Sequence, residues 1–261
     1  MIGIVTISFN QVSFLHAAID SVVKTPVRNN LKYVIVDAGS TDGSRELLEK
    51  RSADIDLIIC KSDQGPADGL NKGFAKCSDC DFLGYINADD RLAPGALEWV
   101  TNFFERNHEV DVLLGAIAII DSQGRRSRRS RVSDTVNLRR YTIGACNIFQ
   151  QGTFFRRSTF ERTDGFNLEN RTCWDAELIV DMSLAGARVK PVHEVLGEFR
   201  LHGASITGSG RLNQKYAADR LRIMKKIHAA GLQPYSEWHA YLIRASHRLN
   251  PLRHLSYLLA S

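Results

Sequence analysis

Apolar residues recur along this chain in two alternating rhythms. The segment Ile2-Gly-Ile-Val-Thr-Ile7 is a near-continuous apolar run closed by Ser8-Phe9-Asn10, the mark of a strand buried on both faces of a parallel sheet. Phe14, Leu15, Ala18, Ile19, Val22 and Val23 then repeat at helical spacing. Residues 31–36 predict a second strand that delivers Asp37 to its carboxyl end, and Ser44 opens a helix carrying Leu47 and Leu48. A third strand over 55–60 and a short helix after Gln64-Gly-Pro-Ala-Asp68 lead to a fourth apolar run at 82–86. Strand, turn and helix in alternation is the rhythm of a doubly wound parallel sheet. Further on, the pattern predicts a helix over 94–105, strands over 112–120 and 192–199, and a strand running into a helix start over 150–157. Cys173-Trp-Asp-Ala-Glu-Leu178 opens a helix that stops at Gly186. After Ser205-Ile206-Thr207 the character changes. A basic amphipathic helix over 215–230 carries Leu221, Met224 and Ile227, a second helix carries Trp238, Tyr241 and Leu242, and Pro251 precedes leucines 252, 255, 258 and 259.

The fourth run ends on Asn87-Ala-Asp-Asp90, where two adjacent carboxylates sit at the carboxyl end of a predicted strand. Ligands of open α/β sheets gather there. Neighbouring carboxylates repel, and a hard divalent cation shared with phosphate oxygens would relieve that cost. The ordinary alternative is a solvated turn with Asp90 near the cap of the next helix. The first strand lacks a Gly-x-Gly-x-x-Gly turn and the chain lacks a Walker loop, so a dinucleotide cofactor is not expected. Asp37 can accept from a ribose hydroxyl or a base N–H, or close an Asx-turn over Gly39-Ser40. Lys72 can neutralise a phosphate or simply be solvated. Asp175 or Glu177 in the first turn of its helix suits the helix dipole whatever else it does.

Charge sharpens this picture. The chain has 261 residues and net charge +5; up to Glu109 there are 11 basic and 16 acidic residues (net −5), and beyond it 23 and 13 (net +10). The acidic half holds the carboxylate turn, and the basic half is suited to something anionic. Arg125, Arg126, Arg128, Arg129 and Arg131 form a cluster interrupted by serines, which reads as a solvated loop or a grip for an anionic acceptor or headgroup. No aromatics interleave with it, so nucleic acid is not an expected partner. Five cysteines argue against a secreted disulfide scaffold, and Cys77-Ser-Asp-Cys80 has no second ligand pair for zinc. No apolar run reaches the roughly 20 residues of a membrane span. The chain is therefore expected in the cytoplasm. For the C-terminal helices, packing on the main domain is preferred over peripheral contact with the inner membrane face; homo-oligomerisation stays open.

Seven segments carry a resemblance, in order and at fitting spacing: Val5-Thr-Ile-Ser-Phe-Asn10, Val36-Asp-Ala-Gly-Ser-Thr-Asp-Gly43, Asp63-Gln-Gly-Pro-Ala-Asp-Gly-Leu-Asn-Lys-Gly73, Asn87-Ala-Asp-Asp90, Phe154-Phe-Arg-Arg157, Trp174-Asp-Ala-Glu-Leu178 and Phe199-Arg-Leu-His202. From Ile2 to about Thr207 the chain resembles the family 2 glycosyltransferases. That resemblance implies the GT-A fold, an α/β Rossmann-like, mostly parallel sheet flanked by helices, here with a C-terminal helical extension. It implies a GT-A domain over 1–207, divided into a nucleotide-sugar half (1–110) and an acceptor and catalytic-base half (111–207), with 208–261 as the extension. It also implies a UDP-, GDP- or dTDP-sugar donor, inversion at the anomeric carbon, and Mn2+ or Mg2+ as cofactor.

Residue by residue, the resemblance sets Asp37 at the nucleoside, with Thr6, Ser8, Phe9 and Asn10 beside it. Asp68, Asn71, Lys72, Asn87, Ala88 and Asp89 are its further donor-binding positions. Asp89, Asp90 and His202 fall at the metal, and Asp175 on the catalytic base. Asn87 replaces the usual first carboxylate, Ala38 stands where many members have a second acid, and Asp181 where an arginine is common. The Gln-x-x-Arg-Trp signature of processive synthases is absent. The expectation is thus a non-processive hexosyltransferase-type enzyme that adds one sugar to a glycan or lipid-linked acceptor in cell-surface polysaccharide biosynthesis. The alternative is a catalytically weak or inactive nucleotide-sugar-binding module, suggested by Asn87 and Ala38.

Overall fold

The computed structural model describes residues 1–130, 136–203 and 212–249. Arg131, the Ser205-Ile206-Thr207 segment with the domain boundary expected at 207, Pro251 and the leucines beyond it lie outside the described residues.

Four apolar runs form the parallel half of one sheet. Strands β1 (Ile2–Ser8), β2 (Leu31–Asp37), β3 (Leu57–Cys60) and β4 (Phe82–Asn87) lie in the order β3-β2-β1-β4. Each next residue on a strand faces the opposite side, so both faces need an apolar cover. Ile2 and Ile4 turn toward helices α1 (Val12–Val23) and, further along the same face, α4 (Ala96–Arg106). Val5, Val34 and Val36 turn toward α3 (Pro66–Phe74) on the other. A short helix α2 (Ser44–Lys50) follows β2. Register brings the strand ends level: Ser8 pairs with Asp37, and Ile7 with Asn87. The polar tips of β1, β2 and β4 therefore open on one rim.

Beyond β4 the sheet is mixed. Strand β5 (Arg91–Leu92) is a short edge, β6 (Val112–Ile120) is buried along its whole length, and β7 (Arg126–Ser130) pairs antiparallel with the far half of β6. The arginine cluster expected as a loop is thus partly a strand. The cause is visible at Arg126, whose guanidinium pairs with buried Glu198 and fastens the hairpin to the sheet. After helix α5 (Leu138–Thr142) and a 3-10 turn at Gln150–Gly152, β8 (Thr153–Arg156) slots antiparallel between β4 and β6. Helices α6 (Arg157–Phe160) and α7 (Trp174–Leu184) precede β9 (Val189–Arg200), which runs parallel to β6. Phe74, Tyr85, Phe155, Phe160 and Phe166 form one aromatic cluster that joins α3 to this half.

Helix α8 (Asn213–Ala229) packs on α7, as the preferred reading of the C-terminal segment has it, through a face that includes the expected Ile227 but not Leu221. Ile223 and Ile227 are buried against Cys173, Ala176 and Val180, whereas Leu221 is 52% exposed. The pattern misled because the buried face is half ionic: Asp219, Arg222 and Lys226 also meet the domain there. On α9 (Glu237–Leu249), Trp238, Tyr241 and Leu242 are exposed. Among the described residues no helix is long and apolar enough to cross a membrane.

Glycines set one close approach. A Cβ on Gly152 would stand 2.5 Å from the Gly115 carbonyl oxygen, and one on Gly197 would strike the Gln151 carbonyl, so the 3-10 turn lies directly on the backbones of β6 and β9. Gly152→Ala is expected to cost about 1–3 kcal/mol through that overlap with backbone that cannot rotate away. Urea unfolding checks it, and a midpoint equal to wild type would show that the turn can lift freely.

Candidate active site

The turn after β4 is organised by a buried carboxylate. Asp90 is 1% exposed; its Oδ2 accepts from Gln151 Nε2 (2.7 Å) and its Oδ1 from the Arg200 backbone N–H (2.9 Å). Burial, with the adjacent Asp89 charge behind it, pushes the Asp90 carboxyl well above the usual range. Arg200 returns the contact, donating through Nε to the Asp89 carbonyl (2.7 Å) and through Nη1 to the carbonyls of Asp121 and Ser122. The end of β9 is thereby pinned to the end of β4, and His202 comes to rest with Nε2 3.0 Å from Asp89 Oδ2. The Phe14 ring supports that imidazole at 4.7 Å. Asp89 Oδ1 is buried with no hydrogen-bond partner among the described residues.

Of the three residues expected at a metal, then, Asp89 and His202 meet, while Asp90 has both oxygens engaged. An unpartnered buried carboxylate oxygen beside an imidazole is a donor set that fits a hard divalent cation whose remaining ligands are phosphate oxygens and water. No group of three or more acidic, histidine or cysteine side chains suited to a metal gathers among the described residues.

The donor-side residues divide. Ser8 is buried with Oγ unpartnered among the described residues, and Phe9 and Asn10 are exposed on the rim. Asn10, at φ 53°, bridges the first two strand ends: its Oδ1 accepts from Thr41 N–H and its own N–H donates to Ser40 Oγ. Thr6, by contrast, lies in the core with its hydroxyl on Tyr33, too deep to meet a ligand. Asp37 is fully buried, with Oδ1 accepting from the N–H groups of Gly39 and Ser40 and Oδ2 from Ser40 Oγ, the Asx-turn arrangement. Asp68 accepts from Gln64 N–H and pairs with Lys72, which also donates to the Ser62 carbonyl. Asn71 holds the Gly165-Phe166 turn from both ends of its amide. Asn87 exchanges two amide hydrogen bonds with Gln150, and Ala88 is buried. These groups shape the loops at the rim; Asp37, Asn71 and Lys72 have their polar atoms engaged within the protein.

Asp175 lies half-buried in the first turn of α7 and lines a cleft of about 580 Å3 with Tyr141, Ile148, Phe149, Tyr216 and Arg220. Burial pushes its carboxyl up to about 6, and no cation among the described residues offsets that burial. Its neighbour Glu177 behaves in the opposite way. Burial alone would push Glu177 up, but hydrogen bonds from Arg222, Asn167, Asn170 and Lys226 outweigh it and hold the group at about 2. Asp181 also takes Lys226, which accounts for the acid at that position. Two links join this cleft to the β4 turn. Tyr85, on the same face of β4 as Asn87, is raised well above an ordinary phenol by burial and then by the charge of Asp175. Ile148 and Phe149 line the cleft, and the next residues, Gln150 and Gln151, bind Asn87 and Asp90.

Gln150, Gln151, Arg200, Tyr141, Tyr216 and Arg220 are the site residues that sequence reasoning does not single out. A glutamine pair ahead of a strand has no periodic signature, and Arg200 is visible only as part of the Phe199-Arg-Leu-His202 segment.

Curled, mostly parallel sheet, flanking helices and acids at the strand ends together define the GT-A class of nucleotide-sugar transferase fold. The family model "Glycosyl transferase family 2" matches residues 3–164, and the chain belongs to that family of transferases. GgaA, a minor teichoic acid biosynthesis protein of Bacillus subtilis, is 25% identical over 70% of this chain and 43% of its own length. TarS of S. aureus in complex with UDP-GlcNAc shares the fold at a TM-score of 0.70 and 19% identity, over 98% of this chain and 73% of that one. The mannosyltransferase PcManGT of Pyrobaculum calidifontis in complex with GDP-Man and Mn2+ does so at 0.65 and 15%, over 99% and 73%. The chain spans under half the length of GgaA and of the longer TarS chain.

Because Glu177 is held at about 2 in the folded state against an ordinary 4.5, its contribution to stability is present above pH 4.5 and lost as pH falls from there toward 2. Glu177→Gln leaves Arg222 and Lys226 without their buried acid and is expected to destabilise the fold by about 2 kcal/mol, discounted for the partial exposure of both cations. Thermal melts between pH 2.5 and 7 check both: the mutant should melt lower at pH 7 and lose less on acidification.

Proposed function

We propose that this chain transfers a single sugar from a UDP-, GDP- or dTDP-sugar to a hydroxyl of a glycan or lipid-linked acceptor, with inversion at the anomeric carbon. The route it serves is the assembly of a cell-surface polysaccharide. The observation that carries this reading is Asp175, a carboxyl raised to about 6 with no cation against it, in a cleft joined to the Asp89–His202 pair through Gln150 and Gln151. The teichoic acid relative supports the polysaccharide context, and the UDP-GlcNAc and GDP-Man complexes of like fold support the donor class. On this reading residues 1–110 hold the donor, 111–207 supply the base and acceptor side, and the helices beyond close that side.

A sugar hydroxyl is a poor nucleophile at neutral pH. Asp175, ionised above about 6, accepts its proton as the oxygen bonds to the anomeric carbon, from the face opposite the departing nucleoside diphosphate. A single displacement with one base inverts the centre. Asp89 and His202 would hold the divalent cation, which supplies positive charge to the leaving diphosphate. Ser8 and the Phe9-Asn10 rim remain as the nucleoside side, with Asp37 shaping the turn beneath it.

Asp175→Asn is expected to lower transfer by about 10²–10⁴-fold while leaving nucleotide binding intact. Wild-type kcat should rise with pH through about 6, the acid limb belonging to Asp175, and then level off. Assays of sugar release from UDP-, GDP- and dTDP-sugars with Mn2+ check both, and normal transfer by the mutant would remove Asp175 from the base role. Separately, Asp89→Asn should abolish the Mn2+-dependent part of the thermal shift produced by a nucleoside diphosphate. An unchanged Mn2+ response would place the cation elsewhere.

A further inference from the structure

The cleft that holds Asp175 also holds a cation that pairs with no acid among the described residues. Arg220, on α8, lines the cleft opposite α7 with its guanidinium 5.8 Å from the centre of the Tyr141 ring and 5.9 Å from that of Tyr216. The one hydrogen bond it makes among the described residues is a long one, 3.4 Å from Nη2 to the Thr142 carbonyl. The neighbouring cations of the same helix are treated differently: Arg222 pairs with Glu177 and Asp219, and Lys226 with Glu177 and Asp181. Asp219, adjacent to Arg220 in sequence, turns away to the Thr172 hydroxyl and the Arg171 N–H. Every acid of α7 is thus accounted for without Arg220, since Glu177 and Asp181 take the other cations and Asp175 has no cation contributing to its shift.

A guanidinium has five donors in a planar fork suited to a carboxylate or phosphate, and two aromatic faces hold this one in place at little entropic cost. Tyrosine faces also suit the C–H surface of a sugar ring, and Tyr141, Tyr216 and Phe149 supply them around one cavity. Arg220 is half-buried on the cleft wall, so a ligand that fills the cleft takes water from its guanidinium and does so at least cost when it brings an anion of its own.

From this juxtaposition of Asp175, the aromatic walls and an Arg220 that pairs with no acid among the described residues, we propose that the acceptor is a sugar bearing an oxyanion, phosphate or carboxylate, and that Arg220 is the residue selecting it. The proposal rests on the reading of this cleft as the acceptor side. It assigns Arg220 to acceptor binding and leaves proton removal to Asp175. On the same reading the donor diphosphate is held at the Asp89–His202 end.

Ligand-observed NMR titrations at low salt test it with three probes on one scaffold: glucose, glucose 6-phosphate and glucuronate. UDP and Mg2+, which is diamagnetic, are kept saturating, so that the donor phosphate site is filled. At least one charged sugar is expected to bind about tenfold more tightly than glucose, and the better of the two distinguishes a phosphate from a carboxylate ligand. Arg220→Gln should bring all three to the same weak affinity, and Arg220→Lys should retain part of the preference, an outcome a merely structural arginine would not produce. Equal binding of the three sugars by wild type, or a preference that survives Arg220→Gln, overturns the proposal. Should Arg220→Gln fail to fold, the wild-type comparison and Arg220→Lys decide on the same criteria. Failure of the sugar-transfer reading registers separately, as normal transfer by Asp175→Asn or absence of any nucleoside diphosphate shift.

Discussion

A carboxylate taken out of water must be repaid in hydrogen bonds, and Asp90 obtains its bonds from two places far away in sequence. One donor is the side chain of Gln151, in the turn before β8; the other is the backbone of Arg200, at the end of β9. Neither segment could drift without stranding a buried acid, so both are fixed relative to β4. That constraint lets Asp89 and His202, 113 residues apart, lie within hydrogen-bond distance. It also explains why two adjacent acids are tolerated. Asp90 carries the burial and is raised well above the usual range, while the Asp89 carboxylate turns to His202. Arg200 seals the arrangement by bonding the Asp89 carbonyl and two carbonyls after β6.

The same separation of tasks between neighbouring acids recurs on α7. Glu177 and Asp175 are two residues apart in one helical turn, yet one is held at about 2 and the other raised to about 6. The helix N-terminus is common to both and cannot make the difference. The difference lies in partners: α8 delivers Arg222 and Lys226 to Glu177, Asn167 and Asn170 add hydrogen bonds, and no cation among the described residues offsets the burial of Asp175. An extension that reads as a packing appendage thereby governs which acid is available near neutral pH. Pairs of acids pushed apart in this way are how one scaffold supplies both a structural anion and a base.

Much of this was legible in the residues because it follows period and position. The runs at β1, β2, β4 and β6 are apolar enough to need burial on both faces, and the carboxylates at their ends could only lie on the rim. The resemblance carried Asp89, His202 and Asp175 to places where the structure gives each an unusual environment. What was not legible depends on tertiary pairing. That Asp37 closes its own turn, that Asn71 holds Phe166, and that Thr6 bonds Tyr33 are choices between a ligand and an internal partner, and the sequence lists both as acceptable. The arginines of β7 read as a free cluster because nothing local reveals that Glu198, 72 residues beyond Arg126, lies beneath them. On α8, counting apolar positions picked Leu221, since it could not weigh an ionic face as a buried one.

The turn at Gln150–Gly152 shows how the two chemical ends of the site are kept in register. Gly152 and Gly197 clear the side chains from the place where this turn crosses β6 and β9, so backbone rests on backbone. Residues before the turn line the cleft, while its two glutamines bond Asn87 and Asp90. Contacts of that kind leave little room for adjustment, because a main chain flanked by sheet cannot change rotamer as a side chain does. The inner wall of the cleft is therefore fixed by the same bonds that fix the Asp89 turn. Differences in what the cleft accepts must then be written on the rest of its lining, where Tyr141 of α5 and Tyr216 and Arg220 of α8 stand as side chains and not as main chain.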